Sequence, residues 1–248
     1  MLPVSQGLHL RGALALLLAL PVASTLSAGA ALAQTKITAG MVAHGPPQWP
    51  QYIATELGWL KQDNIELDFV TAGGGGAQQL AAGALDICHS GYPDFARASL
   101  QGAPMKIIIN DIVASPSGFS NLGDTKPHAE DIPFTVWAAN MPWAEKNRNA
   151  LAAFARNYKR GVRWLYDAAN KEQAIDILMK YARQARKDLE EAYDYQVTKL
   201  KLYGLDGDVS DKVYDKMAEG LVEIGFIKKP FPPKSAIFDG SFVQQATN

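Results

Sequence analysis

Ile65-Glu66-Leu67-Asp68-Phe69-Val70-Thr71-Ala72-Gly73-Gly74-Gly75-Gly76-Ala77-Gln78-Gln79-Leu80-Ala81-Ala82-Gly83-Ala84-Leu85-Asp86-Ile87-Cys88-His89 decides the fold class. Ile65, Leu67 and Phe69 alternate with Glu66 and Asp68, the period of a strand with one wet face. The four glycines turn the chain into a small-residue helix running to Gly83, and Leu85 to His89 reads as the next strand. The same unit extends both ways. Upstream, Lys36 to Val42 is a strand, His44 to Trp49 a loop, and Pro50 suits the first turn of a helix striped by Ile53, Leu57 and Leu60 and stopped at Gly58. Downstream, Ser90-Gly91-Tyr92-Pro93 turns into a helix ending near Gly102, and Met105 to Ile109 is a fourth strand closed by Asn110-Asp111. Strand–helix alternation with short loops predicts an α/β fold with a parallel-rich sheet and right-handed crossovers.

The second half changes period. Ile132 to Ala138 reads as one more strand, and helices follow. Leu151, Phe154, Ala155, Tyr158, Val162 and Leu165 form one stripe; Ala174, Ile177, Leu178 and Tyr181 a second; Leu189, Tyr193, Val197 and Leu200 a third. Ser210 is an expected N-cap for a last helix with Val213, Met217, Leu221 and Ile224 inward and Gly225 at its end. Lys229-Pro230-Phe231-Pro232-Pro233 is an extended tail.

Residues 1–33 read as a secretory signal peptide. Arg11 is the n-region cation, Leu14 to Leu20 an apolar run too short to span a membrane, and Ala31-Leu32-Ala33 a small-x-small cleavage pattern before Gln34. The 248-residue chain has formal charge −1, and losing Arg11 leaves the mature chain near neutral. That gives no electrostatic footprint for nucleic acid.

Three loops should meet at the carboxyl ends of parallel strands, where open α/β sheets gather ligands. Candidate ligand-binding residues are His44, Gly45, Pro46, Gln48 and Trp49; Gly74, Gly75, Gly76 and Ala77; and Ser90, Gly91 and Tyr92. Glycine lets a backbone approach a ligand and aim N–H groups at it, and helix N-termini favour anionic groups. Trp49, Tyr52 and Tyr92 are candidate apolar walls. The ordinary alternative is that these are strand–helix turns with the glycine such turns need.

Other chemistries find no pattern. Ala77-Gln78-Gln79 follows the glycines where a nucleotide-hydrolase loop needs Gly-Lys-Ser/Thr. Asp206-Gly207-Asp208-Val209-Ser210 has Asp211 where a calcium loop needs glycine, so it reads as a solvated turn. His44, His89 and His128 lack zinc-ligand spacing, and Cys88 is the lone cysteine, expected buried in a strand. The expectation is no catalytic residue, no metal and no cofactor.

Ala39-Gly40-Met41, Tyr52 to Lys61, Gln62 to Leu67, the Gly73–Ala77 turn and Leu80 to Ile87 resemble periplasmic solute-binding proteins of ABC importers. The nearest likeness is the nitrate/sulfonate/taurine and thiamine-precursor group, called SsuA/THI5-like or NMT1-like. It continues through Gly118 to Asp124, Pro133 to Trp137 and the Ala150–Tyr166 helix. The resemblance implies a type II periplasmic-binding fold of two α/β lobes with ligand between them, a permease and an ATPase as partners, and a periplasmic monomer capturing a small anionic or aromatic/heterocyclic organic solute. The chain departs from it in one respect: only Asp111 to Gly118 stands where such proteins carry most of a second lobe. The expected organisation is signal peptide 1–33, first-lobe residues 34–112, a shortened remnant of the second lobe 113–130, and a return strand with C-terminal helices 131–248. The first lobe is nearly complete and the second largely absent, so weak binding is expected, with Ile112, Val113 and Phe119 left facing solvent. Two alternatives stand beside the receptor: a binding-impaired relic of one, and a pyrimidine-precursor enzyme of the same fold.

Overall fold

The computed structural model describes residues 34–113, 133–223 and 225–246, all within one compact unit. Residues 1–33, read as a signal peptide, and His128, Ile224, Phe119 and the Gly118–Asp124 motif lie outside the described residues.

The first half follows the sequence period. Strand β1 (Thr35–Met41) leads through a short 3-10 turn (Pro46–Gln48) into α1 (Trp49–Glu56) and α2 (Trp59–Gln62). Gly58 separates these helices at φ 71°, a left-handed conformation that favours glycine. Then come β2 (Ile65–Thr71), α3 (Gly76–Ala81), β3 (Ile87–Gly91), α4 (Tyr92–Leu100) and β4 (Met105–Val113). The second half contains β5 (Pro133–Asn140), α5 (Met141–Lys146), α6 (Arg148–Tyr166), α7 (Lys171–Tyr181), α8 (Arg186–Ala192), α9 (Asp211–Glu223) and α10 (Ser241–Gln245). The third apolar stripe runs from α8 into a π-helical segment, Tyr193–Lys199. Ser210 does cap α9: its hydroxyl accepts from the Val213 amide at 3.2 Å.

The five strands form one sheet in the order β2-β1-β3-β5-β4. β1 is parallel to β2 and β3, whereas β5 runs antiparallel between β3 and β4. The first four strands all run the same way, as a parallel-rich sheet requires, and the return strand is inserted antiparallel between the third and fourth. The structure also extends β4 through Asn110 and Asp111, read above as its closing turn. β3 begins at Ile87 and runs directly into α4, so Ser90 and Gly91 are strand residues and not a turn.

Side chains alternate across the sheet and feed two cores. Ile87 and Trp137 pack under α1, α6 and α7, while Cys88, Val136 and Ala138 pack under α3, α4 and α9. Ile112, expected at the surface, is 4% exposed in the first core. The outer edge of β4 is covered by C-terminal backbone, with Asn110 N donating to Gly207 O at 2.8 Å and Ile107 N to Ile237 O at 2.9 Å. This covering satisfies strand groups that would otherwise be exposed.

On the first core α1 packs closely on α6 at Gly161. A Cβ at Gly161 would stand 2.5 Å from the Pro50 carbonyl oxygen and 3.0 Å from its carbon. Alanine normally gains about 1 kcal/mol over glycine inside a helix. Here the obstacle is backbone, which cannot rotate away, and overpacking costs about 1–3 kcal/mol. Gly161→Ala is therefore expected to lower the urea midpoint with the slope unchanged; an equal or higher midpoint would show that α1 yields easily.

Candidate functional site

Register fixes the geometry of the strand tips. Met41, at the end of β1, lies opposite Thr71 on β2 and opposite His89 on β3. The segments that follow, 42–48, 72–76 and the start of α4, therefore leave the same edge of the sheet at about one level. The expected convergence of the three loops is what the topology produces. β4 ends and β5 begins at this edge too, since Val113 pairs with Pro133.

Within the first loop the side chains separate. Gln48 is buried, and its Nε2 lies 2.9 Å from His89 Nδ1. Trp49 and Tyr52, read as ligand walls, are fully enclosed. Trp49 Nε1 donates to the Ala174 carbonyl at 2.7 Å and its ring meets Tyr193 edge-on, because the first turn of α1 is wedged beneath α7. Tyr52 stacks on Tyr181 with centroids 3.9 Å apart and shares a 2.8 Å hydrogen bond with His44 Nδ1. Its phenol is pushed well above its ordinary range by burial. His44 thus turns into an aromatic cluster with Tyr52, Phe69 and Tyr181. Gly45 is buried, and the Pro46 carbonyl accepts from Tyr203 Oη at 2.6 Å, pinning the loop to the C-terminal half.

The glycine run is a 3-10 turn, Gly73–Gly75, leading into α3. Gly73 has φ 56°, which accounts for glycine there. Gly76 is buried, and a Cβ on it would stand 2.7 Å from Cys88 Sγ. Gly75 is partly exposed. Gly74 and Ala77 line a cavity of about 630 Å³ with Asp94 and Arg97, on the outer side between α3 and α4. Ser90 and Gly91 pair with Val136 and Thr135 of β5, and Tyr92 opens α4 half-buried.

Cys88 is the buried strand thiol expected, its pKa pushed up to about 12 by burial. The thiolate is the reactive form. A maleimide at pH 8 should therefore leave native protein unlabelled and label it on unfolding; rapid native labelling would contradict this packing.

Sequence reasoning missed the polar system beneath the tips. His89 Nε2 lies 2.6 Å from Asp111 Oδ2, and Asp111 Oδ1 accepts from Tyr158 Oη at 2.8 Å. A continuous chain, Gln48–His89–Asp111–Tyr158, thus joins the first loop, β3, β4 and α6, every member buried. Burial and the Asp111 carboxylate both push the Tyr158 phenol far up. The one available signal was a lone aspartate in the apolar run Ile107 to Val113. Two exposed apolar side chains also flank the tips and went unread from the residues alone: Val42 just past β1, 48% exposed, and Phe134 at the start of β5, 55% exposed. Among the described residues no group of three or more His, Cys, Asp or Glu is placed to hold a metal, and no helix is long and apolar enough to cross a membrane.

The mixed sheet sandwiched by helices, with β–α loops gathered at one edge, is an open α/β architecture, and solved structures of the periplasmic-binding-protein fold share it. The ligand-binding component of an ABC-type import system from Staphylococcus aureus aligns at TM-score 0.62 and 12% identity over 86% of this chain and 99% of that one. The periplasmic nitrate-binding protein NrtA from Synechocystis PCC 6803 gives 0.66 and 12% over 86% and 88%. The periplasmic aliphatic sulphonate binding protein SsuA from Escherichia coli gives 0.54 and 13% over 83% and 92%. At this identity the likeness is one of fold. The particular resemblance read from the sequence also stands: the NMT1/THI5-like family model matches residues 46–128. A search of curated proteins finds no match.

Proposed function

We propose that this chain is the extracytoplasmic solute-binding component of an ABC importer, capturing a small anionic or heterocyclic solute outside the inner membrane. The register that levels the three tip loops carries the reading: Met41 stands opposite both Thr71 and His89. Backbone amides of the Gly73–Gly76 turn and the first turn of α4 supply the polar side of the site. Val42 and Phe134, in place of Trp49 and Tyr52, supply its apolar walls. Similarity to components of ABC-type import systems supports the same reading, along with a permease and an ATPase as partners and export by the 1–33 segment.

A reduced second jaw belongs to the proposal. Small ligands held tightly leave most of their surface buried, which one jaw alone does not provide. Among the described residues there is one sheet, and β4 and β5, on either side of residues 114–132, pair directly with each other. Affinity is therefore expected to be weak. The test is a melting-temperature screen of the mature chain against nitrate, alkanesulfonates, aromatic carboxylates and pyrimidines. Ligand at its Kd adds about 0.4 kcal/mol and at a hundredfold excess about 2.7 kcal/mol. One chemical class should raise the melting temperature in a saturable way, and Phe134→Ala should reduce that rise. No response to any class at millimolar concentration would overturn a working receptor.

A further inference from the structure

Between the outer edge of β4, the segment 201–208 and the start of α9 lies a cavity of about 590 Å³, lined by none of the proposed tip-loop residues. Gly204 N donates to Asp111 O at 2.9 Å and Asn110 N to Gly207 O at 2.8 Å, so residues 204–207 are clipped to the strand at both ends. Asn110, opposite Val136 in register, lines the cavity from the sheet. It is only 5% exposed, and its buried Oδ1 accepts no hydrogen bond among the described residues. A buried polar atom without a partner is rare in a folded chain and calls for one from outside it. Two charged side chains line the same cavity, Lys201 and Asp206. Both residues are exposed, and neither side chain makes an ion pair or hydrogen bond among the described residues. The other polar side chains there are already engaged. Asp208 accepts from Val209 N at 2.7 Å and from Gln244 Nε2 at 3.3 Å, Ser210 Oγ accepts from Val213 N at 3.2 Å, and Tyr203 Oη donates to Pro46 O at 2.6 Å.

We propose that this cavity binds a small zwitterion with the head group of an α-amino acid. One ammonium, one carboxylate and one carboxamide stand unspent around a single space, and Lys201 and Asp206 do not pair with each other. A zwitterion complements all three: its ammonium meets Asp206, its carboxylate meets Lys201, and Asn110 hydrogen-bonds the head. The carboxamide carries both an acceptor and donors, so it suits one charged end or the other whichever way it is turned. A divalent cation fits less well. Calcium takes about six to eight oxygen ligands, and here one free carboxylate stands with a lysine. The volume falls within the usual range of small-molecule sites, about 300–1,000 Å³, and leaves room for a side chain beyond the head. Because Lys201 and Asp206 are exposed, each contact is weak and screened by salt, and a millimolar dissociation constant is expected. The solute screen probes the tip loops with other chemical classes, so either result stands without the other.

The experiment is ¹⁵N–¹H NMR of the mature protein titrated with L-alanine, and in parallel with ethylamine and propionate, each of which keeps one of its two charges. L-Alanine should shift the Asn110 side-chain amide and the Gly204 and Gly207 backbone amides in a saturable way, with ethylamine and propionate weaker by about threefold or more. Lys201→Met and Asp206→Asn change exposed side chains that have no partner to lose, and each should weaken L-alanine binding by the same factor with the fold intact. No saturable shift at these amides up to about 100 mM L-alanine, a hundredfold above a millimolar constant, would mean that water alone satisfies Asn110 and would overturn the proposal. Ethylamine or propionate binding as well as L-alanine would overturn the zwitterion, as would L-alanine binding unchanged in both variants.

Discussion

Asp111→Ala is expected to cost about 2–6 kcal/mol of folding stability, among the largest effects of any single change in this chain. The carboxylate is fully buried and takes hydrogen bonds from His89 Nε2 and Tyr158 Oη. Alanine strands both partners in the interior, and each buried polar group left unsatisfied costs about 1–3 kcal/mol. Tyr158 keeps a longer contact to the Asp111 carbonyl, 3.2 Å, which holds the total toward the lower half of that range. Asp111→Asn preserves shape but offers one acceptor oxygen where two are used, so its cost should fall between wild type and alanine. Urea denaturation monitored by tryptophan fluorescence measures all three, with Trp137 packed against His89 as a local reporter. An alanine variant within about 0.5 kcal/mol of wild type, the range of an ordinary surface change, would mean that the buried chain of hydrogen bonds does not exist as described.

The second large effect is at Trp49. Trp49→Ala should cost about 3–5 kcal/mol, the usual range for removing a large buried aromatic. The residue ties the start of α1 to α7 by its indole N–H and fills the space beside Tyr193. Trp49→Phe keeps most of the volume and loses the hydrogen bond to Ala174, so its cost should be nearer 1–2 kcal/mol. The pair also separates two roles for the residue. A ligand wall would lose solute response with little change in stability, whereas a core tether loses stability first. A phenylalanine variant as stable as wild type but blind to a solute that wild type binds would return Trp49 to the site.

These changes mark where local reading ended. The alternation at Ile65, Leu67 and Phe69, the glycine turn after Thr71 and the helical stripe from Leu151 to Leu165 are patterns within one element, and each forms the element its period requires. The stop at Gly58 and the cap at Ser210 are equally local, set by one residue's backbone freedom or one hydroxyl. The likeness to solute-binding proteins was legible for the same reason, since it rests on short contiguous motifs. The tip loops were legible as a set because parallel β–α units always place such loops at one edge.

What those loops contain was not legible. Trp49 and Tyr52 look like binding aromatics in a loop and helix start, yet both are buried by α7, more than a hundred residues later in the chain. Asp111 looks like the end of a strand, yet it is the centre of a network whose partners lie on β3 and α6.

The sequence by itself determined the α/β class, the edge at which the loops gather and the amphipathic helices that cover the sheet. Hydrophobic period and glycine positions act over a few residues and need no knowledge of partners. Only the tertiary structure decided that β5 runs backwards between β3 and β4, which aromatics enter the core and which polar groups meet by hydrogen bond. Strand pairing and buried hydrogen bonds are made between residues far apart along the chain, and no local pattern specifies which distant group will arrive.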